Sequence, residues 1–173
     1  VIYPNSIHLQ TMLSNCNIST PLTYPEYNID HAMDIYQYRG ALWQKYMVES
    51  LGDSSVIRLI WEEYGLQYAT GTPVSLFPIY DNAVQQVSNG GANLSDAYKG
   101  YAIWRYFTGN RAIADEHFLQ GSLYCTASLV SIDENTLMLP SEKGATRLVE
   151  LGVDNLNLLI SSTAMSMLRV QHI

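Results

Sequence analysis

Through residue 124 the apolar side chains of this chain recur every three to four positions, and beyond Cys125 they come in short runs instead. That change of period is the strongest constraint on the fold, because a 3.6-residue spacing and a run of four or five residues call for different backbones. Ile35, Tyr38, Leu42 and Tyr46 line one stripe of a helix that Gly52 ends, with Gly40 inside it. A glycine there lets another backbone or a ligand approach closely. Asp53 or Ser54 caps a second helix, which carries Val56, Ile57, Ile60, Trp61 and Tyr64 and stops at Gly65. Phe77, Tyr80, Val84 and Val87 mark a third. Asn93-Leu94-Ser95-Asp96 is a capping-box variant that opens a fourth, bearing Ala97, Tyr101, Trp104 and Phe107. A short helical pattern at Ile7, Leu9, Met12 and Leu13 precedes them, followed by a polar, proline-punctuated loop up to Asp30.

The later apolar runs, at 129–130, 137–139, 148–151, 156–160 and 165–170, are separated by turn residues and read as a β-meander or part of a sandwich. The expected fold class is therefore α+β. An α-helical module of about four helices spans 1–124, and a small antiparallel β module occupies 125–173, with the boundary near residues 125–140. The chain starts at Val1 without an initiator Met and stops inside a strand-like run, so both ends are expected to be cut.

Only 14% of the residues are charged, against roughly a quarter in an ordinary soluble domain, so solubility leans on Asn, Ser, Thr, Gln and 13 tyrosines. Nine Lys and Arg against 16 Asp and Glu leave no basic stripe, which argues against a nucleic-acid partner. No apolar run reaches the roughly 18 residues of a membrane span. Cys16 and Cys125 have two readings, a disulfide closing a long loop in an exported protein or two buried thiols.

The residues taken alone give no complete active site. The four histidines lack the spacing that puts two metal ligands on one helical face, and Asp115-Glu116-His117 is a poor cage because adjacent side chains diverge. Glu49, Asp53, Glu62 and Glu63 surround a helix–turn–helix junction, where a suitable pair could do glycosidase-type work. Helix capping and pairing with Arg58 explain them more simply. Trp43, Trp61 and Trp104 could stack on sugars, or belong to the core. Tyr38 follows a long loop, and a phenol beside a cleft can donate to a developing oxyanion.

Tyr38-Arg39-Gly40-Ala41-Leu42-Trp43-Gln44-Lys45-Tyr46-Met47, with Glu49 and Gly52, forms one notable segment, and Ile60-Trp61-Glu62-Glu63-Tyr64-Gly65 a second. A third, the most specific, is Ala102-Ile103-Trp104-Arg105-Tyr106-Phe107-Thr108-Gly109-Asn110-Arg111. Together with Ile2-Tyr3-Pro4, they resemble the helical C-terminal subdomain of secreted bacterial gluzincin-like zinc metallopeptidases, over residues 2–124. The β-rich remainder resembles their accessory domain. The resemblance implies a zinc cofactor held by two His and a Glu of an upstream HExxH subdomain, with the motif Glu as general base. No such motif stands in this chain, so no metal ligand carries over. The helical subdomain would form one wall of a polypeptide-substrate cleft, with Tyr38 as the oxyanion stabiliser.

Two main readings therefore stand, with an independent glycosidase as a third. The chain is a fragment of a secreted zinc peptidase, inactive alone, which predicts an exposed apolar face where the missing subdomain docks. Alternatively it is a non-catalytic module that holds a glycan or a protein partner on its aromatic residues.

Overall fold

Gly52 takes up the left-handed backbone at φ 67°, and the Asp53 carboxylate accepts the Ser55 N–H at 2.7 Å, so one helix stops and the next starts within three residues. Ser54, the formal cap, makes no side-chain bond. In the computed structural model, residues 7–25, 40–71, 73–128, 130–131 and 149–150 are described. They form α1 (Ile7–Ser14), α2 (Ala41–Leu51), α3 (Ser55–Ala69), α4 (Leu76–Val87) and α5 (Leu94–Tyr106), then 3-10 turns at Gly109–Arg111 and Gly121–Leu123. Pro78 is tolerated in α4 because its first-turn position lacks an intrahelical acceptor in any case. Asn93 caps α5 by accepting the Asp96 N–H at 3.0 Å, and Asp81 of α4 takes the Leu94 N–H at 2.7 Å. One carboxylate of α4 thus fixes where α5 begins.

Helix α2 packs on α3 and α5, and α4 packs on the same two, closing a cycle of four helices. Leu42, Met47, Val56, Ile60, Ile79 and Val84 fill its centre. Trp43 lies stacked on Tyr98 at 4.7 Å and meets Tyr101 edge-on at 5.2 Å, so α2 and α5 are joined largely by aromatic faces. Gly40 is not inside a helix here: it is the residue before α2, its carbonyl accepting from Trp43 N–H at 3.0 Å.

The expected antiparallel β module is corrected by the structure, whose regular secondary structure among the described residues is almost entirely helical. The sole strand pairing among them is parallel and two residues long, Val130 with Val149 and Ser131 with Glu150. The extended segment that follows Tyr124 is captured by the helical module instead. Cys125 donates its N–H to Leu13 and Ser128 donates to Leu22, both at 2.8 Å, while Cys125 and Ala127 enter the helical core. Short apolar runs carry no period long enough to distinguish a sheet strand from an extended strap on a helical core. The runs at 137–139, 156–160 and 165–170 lie outside the described residues.

Candidate functional site

Helix α3 buries Val56 and Ile60 against its neighbours, yet carries large apolar side chains on its outer side as well. Trp61 is 57% exposed and Tyr68 69% exposed. Positions 61, 64, 65 and 68 follow the spacing that aligns side chains along one helical face. The rings form a continuous series: Trp61 meets Tyr64 edge-on at 5.9 Å, and Tyr64 lies nearly parallel to Tyr68 at 6.0 Å. Between them stands Gly65, where an added Cβ would meet nothing within 4 Å. The fold gives no steric reason for a glycine there, and its backbone is ordinary helix. The Arg58 guanidinium bonds both Glu62 oxygens at 3.1 Å, and Gln67 donates to Glu63 at 2.7 Å, so polar groups lie on the same helix as the aromatic face.

The three tryptophans divide accordingly. Trp43 is core, Trp104 is half-buried among Tyr46, His117 and Phe118, and Trp61 alone of the three is exposed. Tyr38 and residues 35–39 lie outside the described residues.

The four carboxylates are held apart in separate roles. Glu49 pairs with the buried Lys45 at 2.5 Å and accepts the Leu119 N–H at 3.3 Å. Asp53 caps α3, and the bond from the Ser55 backbone holds its carboxyl below the usual range. Glu62 and Glu63 are engaged along α3. Asp115 and Glu116 are exposed, whereas His117 is half-buried and stacked on Phe107 at 4.3 Å. Desolvation pushes the His117 imidazole down, with the Glu116 charge opposing. Among the described residues, no three His, Cys, Asp or Glu side chains are grouped to hold a metal ion, and no helix is long and apolar enough to cross a membrane.

The segment 102–111 that carries the peptidase resemblance fastens the end of α5. The Arg105 carbonyl accepts from the Thr108 hydroxyl at 2.9 Å. The Arg111 guanidinium bonds the Tyr106 and Ala127 carbonyls and lies 4.3 Å from the Tyr106 ring centre. Gly109, at φ 61°, is pressed against Thr126 so closely that any side chain would collide. Cys16 and Cys125 are disulfide-bonded.

The sequence pattern ends α3 at Gly65, but the structure carries it through Gly65 to Ala69, which is why Tyr68 was missed as part of the aromatic face. Sequence reasoning also missed Arg105, whose signal is a cation set in an aromatic run. Compared with known protein families, with curated proteins and with solved structures, the chain shows no match to any of them.

Proposed function

We propose that this chain is the helical wall of the substrate cleft in a secreted zinc-dependent peptidase, whose metal-bearing subdomain belongs to another region of the polypeptide. The observation that carries the reading is the exposed apolar face of α3. A bundle that buries Trp43 to 2% exposure leaves Trp61 and Tyr68 of that face in water. Large exposed apolar side chains grouped on one helix mark a surface that another surface covers. The disulfide supports export, since such bonds persist in oxidising compartments. On this reading the zinc ligands come from the other subdomain, and this chain's part is shape and positioning. Tyr38 is proposed to donate to the oxyanion; in the intact protein Y38F would then lower kcat by about a hundredfold.

The test is to express the chain together with the region that precedes it in the reading frame. An HExxH motif there, bound zinc, hydrolysis of unfolded polypeptide and loss of Trp61 labelling in hydroxyl-radical footprinting are expected. A preceding region without HExxH, or Trp61 labelled equally in both forms, would sink the reading.

Gly65 favours a second reading, a non-catalytic module that seats a sugar ring on the Trp61–Tyr64–Tyr68 face. Stacking on an aromatic platform beside Arg and Glu hydrogen-bonding groups suits a glycan. Affinity electrophoresis in polysaccharide gels decides it: the native chain is retarded and W61A is not. Equal mobility of the two rejects this reading.

A further inference from the structure

Arg105 is 1% exposed, yet only part of its guanidinium is used. Nη1 donates to the carbonyls of Pro21 at 3.1 Å and Pro25 at 3.5 Å, and the group lies 4.5 Å from the Tyr101 ring centre. Nε and Nη2 are buried with no hydrogen-bond partner among the described residues. The ion pairs among those residues are Lys45–Glu49, Arg58–Glu62 and Lys99–Asp96, so none neutralises Arg105. An arginine side chain stays protonated in proteins, and a buried charge without a counter-ion is costly. Two carbonyls and one ring face offset only part of that cost.

We infer that Arg105 is the receptor of an internal anion site that takes a carboxylate on its Nε–Nη2 edge. Those two N–H groups point the same way from one planar edge, the arrangement that matches both oxygens of a single carboxylate. Trp43 Nε1 is also buried without a partner among the described residues, and its ring packs edge-on against the same Tyr101. The unused Nε and Nη2 of Arg105 are donors only, so they call for an acceptor-only ligand, which excludes a cation and disfavours a hydroxyl-rich one. A singly charged planar group leaves the site neutral, whereas phosphate would carry excess negative charge into a buried position.

The site is independent of the α3 face and of the peptidase reading. The probes are acetate and acetylglycine at matched ionic strength, with chloride and neutral acetamide as controls. The readouts are thermal unfolding and the Arg105 Nε–H resonance in NMR. The expected result is a saturable stabilisation and a downfield Nε–H shift with both carboxylates and neither control. R105K keeps the charge without the fork, and its apparent affinity falls by about tenfold or more. Should R105K fail to fold, the resonance in the native protein still decides. Equal responses to acetamide or chloride, or no response, overturn the proposal. So does an Nε–H already at its carboxylate-bonded position in carboxylate-free buffer that moves on E26Q, D30N or D34N, since the chain itself would then fill the fork.

Discussion

Cys16 and Cys125, 109 positions apart, are joined by a disulfide, and the backbone N–H of Cys125 bonds to the carbonyl of Leu13, three residues before Cys16. Covalent and hydrogen-bonded ties therefore converge on the C-terminal end of α1 and the residues just after it. Opening a loop of about a hundred residues releases the denatured chain from a constraint worth about 4 kcal/mol. The double variant C16A/C125A is expected to lose roughly that much in urea denaturation. Its amides at positions 125 and 128 should exchange faster than those of α2, because they lose their ties to the Leu13 and Leu22 carbonyls first. A loss below about 1 kcal/mol would show that the strap is held by packing alone.

Glu49 binds Lys45 with one oxygen and the Leu119 N–H with the other, inside the protein. Removing one member of a buried pair strands the other charge, at a cost of about 3 kcal/mol or more. E49Q and K45M should each unfold at markedly lower urea concentration, while the double variant K45M/E49L recovers much of the loss. A double variant as unstable as the sum of the singles would place the worth of these residues outside their pairing.

The Tyr124 hydroxyl is buried without a hydrogen-bond partner among the described residues. Burial, with the Glu49 charge adding to it, raises this phenol far above the ordinary tyrosine range. Tyr46 and Tyr80 are raised too, again by burial first. A raised folded-state pKa means the stabilisation is whole below the unfolded value of about 10 and is lost as pH rises beyond it. Unfolding midpoints should hold constant to about pH 9 and fall above it. Y124F removes an unpaired hydroxyl, so it should be more stable by about 1 kcal/mol at neutral pH, with a shallower alkaline fall. Identical alkaline slopes in the two proteins would contradict the assignment.

The four large helices were legible because their apolar residues keep one period over many turns, and Gly52 and Asn93 mark boundaries that the backbone uses. Direction of burial was less legible. Trp43 and Trp61 both sit at helical spacing, and only the packing of α2 between α3 and α5 decides which is core. The segment after Cys125 was misread because four or five apolar residues fit a strap as well as a strand. Two cysteines alone could not announce their bond, and the aromatic run around Arg105 points to a cation among rings without saying that α5 turns it inward. Side-chain chemistry was visible in the sequence; the partner across the core was not.

Gly65 and Gly109 separate glycines demanded by the fold from one that is not. At Gly109 the backbone is left-handed and Thr126 occupies the space of a side chain, so G109A should lose well over 1 kcal/mol. At Gly65 the helix is ordinary and the space open, so G65A should gain up to about 1 kcal/mol through helix propensity. A glycine that weakens its own helix without a steric cause leaves open space beside the aromatic rings for what approaches from outside. Both readings of the α3 face make that claim, and they differ in the consequence. If a subdomain docks there, the added methyl raises the accessibility of Trp61 in the longer polypeptide. If a sugar ring sits there, G65A loses retention in polysaccharide gels while its unfolding midpoint rises. A stabilised G65A with neither change would assign Gly65 no part in recognition.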